Sequence, residues 1–141
     1  MKTRVTAYAA GAVLLMAASA LAQADEERTR VFNAPMDRVW TVARSTLKGL
    51  GWDIDQEDHE VGWIRTDSRR IEGDDFGVYA KGTKHRLRLV FKKLDGGKTA
   101  VTVERRAWRQ ERILWMDKEQ DLSVTDHRVE QEVLDAIGAS L

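Results

Sequence analysis

The sequence predicts an α+β fold, a two-layer sandwich in which an antiparallel sheet is covered on one face by an N-terminal and a C-terminal helix. Apolar residues recur at helical spacing near each end of the chain, apolar and polar residues alternate through its middle, and glycine-rich or acidic turns separate the alternating runs. A helix and a half-buried sheet each have one apolar face, and they bury these faces against each other. The predicted element order is β-α-β-β-β-β-α.

The first strand and the first helix lie between residues 29 and 50. Thr29 to Phe32 is a short β-prone run that stops at Asn33-Ala34-Pro35. Proline suits the first turn of a helix, and Gly49 or Gly51 can end the helix near Leu50 in a left-handed conformation. The apolar face of this helix is Met36, Val39, Trp40, Ala43, Leu47 and Leu50.

Two hairpins are predicted in the middle of the chain. Trp52 to Gln56 alternates apolar with polar residues, and after an acidic turn a second run extends from Val61 to about Ser68. His85 to Leu94 alternates clearly, and Thr99 to Ala107 is its partner strand. The turn between them, Asp95-Gly96-Gly97, suits a hairpin because glycine adopts the positive φ that tight turns require.

Two segments have weaker patterns. Arg69 to Lys84 predicts a long loop, because it contains Gly73, Gly77 and Gly82, with room for a short strand around Phe76, Val78 and Tyr79. Trp108 to Leu122 is polar with a few embedded apolar residues. It is consistent with a continued strand, a flap or a helical turn, and the pattern does not choose among them.

A C-terminal helix is predicted from Ser123 onward. Ser123 and Asp126 have the spacing of a capping box, and apolar residues from Val129 to Leu141 follow on one helical face. The core predicted from all these patterns is Val39, Trp40, Ala43, Leu47, Leu50, Trp52, Ile54, Ile64, Leu87, Leu89, Phe91, Val101, Val103, Val133 and Ile137.

The N-terminus has the layout of a secretory signal peptide, predicted as residues 1–22. Lys2 and Arg4 precede an uncharged, Ala-rich stretch that runs to Ala24. Cleavage before Gln23 is preferred, and cleavage before Asp25 is the alternative. Alanine, serine and glycine dominate the stretch, which disfavours a retained transmembrane anchor. We therefore expect residues 23–141 to form a single domain in the bacterial periplasm.

Composition limits the classes of partner and cofactor. The 141 residues include 23 basic and 23 acidic side chains, so the formal net charge is +0, which disfavours nucleic acid as a partner. Hydrophobic residues make up 43% and charged residues 33%, as in an ordinary globular domain. The chain contains no cysteine, so disulfides, thiolate chemistry and a covalent lipid anchor on cysteine are excluded.

The stretch VFNAPMDRVWTVARSTLKGLGWDIDQEDHEVGWIRT joins a strand to a Val-Trp helix, then Leu-Gly-Trp-x-Ile, an acidic turn and Gly-x-Ile-x-Thr. It resembles the helix-grip domains of BamC-like proteins, which are accessory components of the machinery that assembles outer-membrane β-barrels. The resemblance covers about Arg30 to Leu141. It implies a helix-grip-like sandwich and a non-enzymatic role in protein interaction near the outer membrane. The relatives resembled look like lipoproteins tethered through an N-terminal cysteine, which this chain lacks.

Catalytic and metal-binding patterns are weak. Six acidic or imidazole side chains crowd one stretch, and oxygen ligands at this density suit a hard cation such as calcium. Their spacing matches no EF-hand loop, so we interpret them as a solvated acidic face and turn. They are Asp53, Asp55, Glu57, Asp58, His59 and Glu60. With no catalytic serine motif and widely separated histidines, we expect neither an enzyme nor a resident cofactor or metal.

The segment from Arg105 to Trp115 is the candidate partner-binding site. Guanidinium groups pair with carboxylates or phosphates, and tryptophan often anchors interfaces. The predicted contact residues for an envelope protein partner are Arg105, Trp108, Arg109, Arg112 and Trp115. In the alternative interpretation, both tryptophans pack at the sheet edge while the arginines pair with acids such as Glu104 and Glu111.

A second class of function is binding or carrying a hydrophobic small molecule or lipid. Helix-grip folds can enclose an apolar ligand between sheet and helix. In this chain the lining of such a cavity would be Trp40, Trp63, Leu89 and Phe91.

Overall fold

Seven antiparallel strands and two long helices form the part of the chain that the structure, a computed structural model, describes: residues 26–75 and 79–141. A short helical segment covers residues 26–28. The predicted α+β fold is confirmed. The predicted signal peptide, its two cleavage sites, and Phe76 and Val78 lie outside the described residues.

The elements, labelled in chain order, have these bounds: β1 Thr29–Phe32, α1 Met36–Gly49, β2 Ile54–Asp58, β3 Trp63–Thr66, β4 Arg69–Asp75, β5 Tyr79–Leu94, β6 Lys98–Ile113, β7 Met116–Leu122 and α2 Arg128–Ala139.

A long hairpin of β5 and β6, with 16 residues in each strand, runs through the whole sheet. Around one half of it the strand order is β1-β6-β5-β3-β2. Around the other half β4 pairs with the beginning of β5, and β7 pairs with the end of β6. We call this second half, residues 69–75, 79–85, 107–113 and 116–122, the extension.

Both helices pack against the first half of the sheet and against each other. Leu87, Leu89 and Phe91 of β5 face them, as do Val101 and Val103 of β6, because alternate residues of a strand point to the same side. The predicted core is confirmed, except that Leu50 and Ile54 are only partly buried. Side chains at the intervening positions point to the side without helices, which we call the open face.

The first helix follows its sequence signals. Pro35 occupies the N-cap position in an extended conformation, and Asp37 lies in the first turn, where it complements the positive end of the helix dipole. The helix ends before Leu50, and Gly51 follows with φ +84°. Glycine tolerates this left-handed conformation without steric cost.

The loop predicted for residues 69–84 is wrong, because this segment forms β4 and the beginning of β5. Gly73 and Gly82 of this segment allow β4 and β5 to approach each other closely. Gly73 faces Gly82 in the register, and a Cβ atom on Gly73 would lie 2.1 Å from the carbonyl oxygen of Lys81. A bulge between Arg70 and Glu72 interrupts the ladder nearby.

Of the readings left open for residues 108–122, the continued strand is the one observed. β6 runs on to Ile113, turns at Leu114 and Trp115, and returns as β7. The predicted capping box is wrong: α2 begins at Arg128, and Asp126 instead accepts a hydrogen bond from the Arg128 backbone N–H at 2.9 Å. The observed order therefore has two strands, β4 and β7, beyond the predicted set.

Across residues 26–75 and 79–141, no helix combines the length and the apolar character needed to cross a membrane.

Candidate partner-binding surface

The open face of the sheet carries an unusual set of arginine and tryptophan side chains. Trp63 of β3 faces Val90 across the ladder, so it lies on the side opposite the helices. Arg86 and Arg88 of β5 occupy the same side, two residues apart, and Trp108 of β6 lies there beside Lys84. On β3, β5 and β6 the apolar core side chains therefore pack against the helices, and polar and aromatic side chains lie on the open face.

Trp63, Arg86 and Arg88 border a groove of about 400 Å³ that is open to solvent, and Trp108 lies outside its lining. Its lining is strongly basic. The lining residues are Trp63, Arg65, Arg86, Arg88, Glu104, Arg105 and Arg106.

Trp63 and Trp108 on the open face each have at least one arginine guanidinium group over the ring. The Cζ atom of Arg88 lies 5.7 Å from the centre of the Trp63 ring. Arg86 and Arg106 lie 5.8 Å and 4.7 Å from the Trp108 ring. A cation over an aromatic face is attracted by the ring quadrupole, so these contacts hold the guanidinium groups in place.

Three arginines of the groove lining are already paired with carboxylates, and one of them, Arg105, pairs with Glu130 on the helix side. Arg65 donates to Asp55 Oδ2 from Nη2 at 2.6 Å and from Nε at 3.1 Å. Arg106 contacts Asp121 Oδ1 at 2.8 Å and Glu119 Oε2 at 3.9 Å. The bulge between Ile54 and Gln56 places Asp55 next to Arg65, whereas Glu57 contacts Arg44 of α1.

Arg86 and Arg88 are different. Within the described part of the chain neither forms an ion pair, and neither does Glu104, although Glu104 faces Arg88 in the register. Within the groove lining, like charges face each other across the ladder, because Arg65 lies opposite Arg88 and Arg86 lies opposite Arg106. Directly opposed like charges destabilise a sheet.

The five predicted contact residues do not form one surface. Arg105 points toward the helices and is mostly buried, and Arg109 is exposed on that same side. Trp108 is 5% exposed on the open face, where Arg112 also lies. Trp115 is 85% exposed at the β6–β7 turn.

The alternative pairing scheme also differs from the structure. Trp108 is packed, but Trp115 is not. Arg105 pairs with Glu130 rather than with Glu104, and Glu111 faces Lys118 across the ladder.

Sequence reasoning missed Arg86 and Arg88 as members of a site, and it assigned Trp63 to an apolar cavity instead. A usable signal was present, because the alternation of β5 already assigned Arg86 and Arg88 to the face away from the core. The neighbouring side chains on that face belong to β3 and β6. The strand order that brings the three strands together cannot be deduced from the pattern of β5 alone.

The predicted acidic stretch is spread over both sides of β2. Asp55 pairs with Arg65, and Glu57 pairs with Arg44, so the expectation that they share one solvent face is wrong. His59 Nε2 lies 3.0 Å from Asp37 Oδ1, and its ring packs edge-on against Trp40. Among the residues described, no group of three or more acidic, histidine or cysteine side chains is arranged to hold a metal ion.

The predicted apolar cavity does not form from its four residues. Trp40, Leu89 and Phe91 are packed in the core between sheet and helices, with Trp40 and Phe91 ring centres 4.9 Å apart. Trp63 lies on the opposite face of the sheet. These four side chains therefore do not line a common space.

A polar cluster lies on the helix side of the sheet, at the boundary between the helix-covered half and the extension. Glu130 of α2 is fully buried, with Oε2 3.5 Å from Arg105 Nε and Oε1 3.3 Å from His127 Nδ1. His85 packs its ring 4.9 Å from Trp52. Burial, together with the charges of Arg105 and Arg69, lowers the pKa of His85, while Glu130 opposes this shift.

Comparison with known proteins adds no assignment: no family model matches the chain, and no curated protein shows significant similarity to it.

Proposed function

We propose that this chain is an exported, non-enzymatic interaction module of the bacterial envelope that binds a partner protein through its open face. The single observation behind the proposal is the arginine–tryptophan groove. Arg86 and Arg88 are held over tryptophan rings without an ion-pair partner among the described residues. Arginine and tryptophan are the residue types that most often anchor protein interfaces.

The sequence supports the proposed compartment and partner. The predicted signal peptide favours the periplasm for the mature protein. The resemblance to BamC-like domains makes components of the outer-membrane assembly machinery the first partners to seek. The protein then acts as a scaffold or accessory in that process.

Site-specific photo-crosslinking in intact cells tests this proposal. A photoreactive residue replaces Lys92 in one variant and Lys93 in the other. Both lysines are exposed neighbours on β5, but Lys92 points to the open face and Lys93 to the helix side. Each variant is also made with Arg86→Gln and Arg88→Gln, and crosslinked proteins are identified by mass spectrometry.

We expect a defined envelope protein to crosslink at position 92 and not at position 93, and its yield to fall when Arg86 and Arg88 are replaced. The N-terminus of the recovered protein should be Gln23, or Asp25 if the alternative site is used. Equal crosslinking at both positions, or a protein retained in the cytoplasm with its leader intact, would overturn the proposal.

A further inference from the structure

The two groove arginines that form no ion pair with any described residue of the open face or elsewhere have a defined spacing. Arg86 and Arg88 are two residues apart on one strand, so their Cα atoms are about 7 Å apart. Their guanidinium groups lean in opposite directions along β5. Arg86 reaches Trp108, which stands beside Lys84, whereas Arg88 reaches Trp63, which stands beside Val90.

This arrangement disfavours one compact anion as the ligand. A single phosphate or sulfate group cannot contact both guanidinium groups while each remains over its own tryptophan ring. The two arginine–tryptophan pairs instead follow one another along β5, with Trp108 beside Lys84 and Trp63 beside Val90. An elongated ligand with several negative groups matches this arrangement.

An extended polypeptide has the required periodicity. Its side chains at every second position point to one side, with the same rise per residue as β5. Carboxylates at even spacing would therefore meet Arg86 and Arg88, and each guanidinium can bind a carboxylate through two parallel hydrogen bonds. Such a partner would also relieve the repulsion of Arg86 with Arg106 and of Arg88 with Arg65.

We propose that the open-face groove recognises an extended acidic segment whose Asp or Glu residues lie on one side, two or four positions apart. The segment lies along β5, with its carboxylates on Arg86 and Arg88. This inference rests on the proposed function and specifies the chemistry of the partner.

Two synthetic peptides of identical composition test the spacing. One alternates aspartate with threonine, and the other groups the same aspartates in one block. Binding of each to the mature protein is measured by fluorescence anisotropy at physiological salt, where screening of non-specific charge attraction is substantial. We expect the alternating peptide to bind at least about tenfold more tightly than the block peptide, because the block places neighbouring carboxylates on opposite sides of an extended chain.

A matched pair of variants tests the site. Arg86→Gln with Arg88→Gln should weaken binding of the alternating peptide by at least about tenfold, because two charge-assisted contacts are lost. Lys81→Gln with Arg109→Gln removes the same charge from exposed positions on the helix side, and it should change affinity by less than about twofold. Circular dichroism verifies that both variants are folded.

Three results would overturn the inference: equal binding of the two peptides, equal loss in the two variants, or binding of anionic phospholipid vesicles through Arg86 and Arg88 with no peptide binding. The crosslinking contrast between positions 92 and 93 is independent of these peptides. A protein partner that crosslinks at position 92 while both peptides fail would leave the proposed function standing and reject only the alternating acidic motif.

Discussion

Glu130 of α2 and Arg105 of β6 form an ion pair that joins the C-terminal helix to the sheet. Glu130 is fully buried, and its Oε2 lies 3.5 Å from Arg105 Nε. Arg105 also donates from Nη2 to the backbone carbonyl oxygen of Asp126 at 2.6 Å, just before the helix begins. A buried carboxylate is tolerated only with such partners, because removal from water strongly disfavours an isolated charge.

Replacing Arg105 with methionine should therefore destabilise the protein. The variant leaves Glu130 buried without its cation, and we expect the free energy of unfolding to fall by about 3 kcal/mol. Urea denaturation followed by circular dichroism measures this change.

The double variant Arg105→Met with Glu130→Leu separates charge from packing. An apolar pair of similar size should recover most of the lost stability, since it leaves no uncompensated charge. A double variant as unstable as the single one would mean that the contact matters for its shape and not for its charge.

A pH dependence of stability is expected from His85. Its pKa is lowered from 6.5 by burial first, and then by the charges of Arg105 and Arg69. As the pH falls below 6.5, the unfolded chain takes up this proton before the folded protein does, so the unfolded state gains stability. The contribution is complete above pH 6.5 and is lost between that value and the lower folded pKa.

Denaturant titrations at pH 7.5 and pH 5.5 measure the effect. The wild type should be more stable at the higher pH, and His85→Asn should reduce the difference. If His85→Asn kept the full difference, other groups would be responsible for the pH dependence.

Trp108 and Trp115 should respond very differently to the same substitution. Trp108 is 5% exposed and holds Arg86 and Arg106 over its ring, so Trp108→Ala should cost about 3 kcal/mol of unfolding free energy. Trp115 is 85% exposed at a turn, so Trp115→Ala should change stability by less than about 0.5 kcal/mol. Thermal unfolding of both variants checks this contrast, and a large loss for Trp115→Ala would contradict the position of its side chain.

The helices, the β5–β6 hairpin and the core were predictable because their signals are local and periodic. The extension was not predictable, because glycine occurs both in loops and at close contacts between strands. Gly73 and Gly82 looked like loop residues, whereas they face each other where two strands come too close for side chains. A loop glycine and a glycine at a close strand contact can be told apart only when the strand pairing is known. The clash of an added Cβ atom is with the neighbouring strand and not with the glycine's own strand.

The candidate site was partly predictable for a related reason. The Arg105–Trp115 segment was recognised as rich in arginine and tryptophan, but strand alternation divides its members between two faces. The groove draws its other residues, such as Trp63 and Arg88, from strands distant in sequence. Predicting a site whose residues come from several strands requires the strand order of the sheet, and no single segment of the sequence contains that information.

Arg86 offers a separate prediction about the balance between binding and stability. It faces Arg106 directly across the ladder, so Arg86→Thr should relieve repulsion, and we expect the free energy of unfolding to stay level or rise by up to about 0.5 kcal/mol. Partner binding should weaken in the same variant. Thermal unfolding measures the stability change, and a clear decrease would show that the contact of Arg86 with Trp108 outweighs the repulsion.

The extension can be loosened without disturbing the core. A Cβ atom on Gly82 would lie 2.3 Å from the Glu72 carbonyl oxygen, so Gly82→Ala should force β4 away from β5. We expect faster amide hydrogen exchange in residues 69–75, with an overall stability loss of about 1–3 kcal/mol. Gly49→Ala is the control, because a Cβ atom there meets nothing within 4 Å and alanine favours a helix. It should raise stability by about 0.5–1 kcal/mol. If Gly82→Ala left exchange in β4 unchanged, the close approach of Gly73 and Gly82 would not be what holds β4 in place.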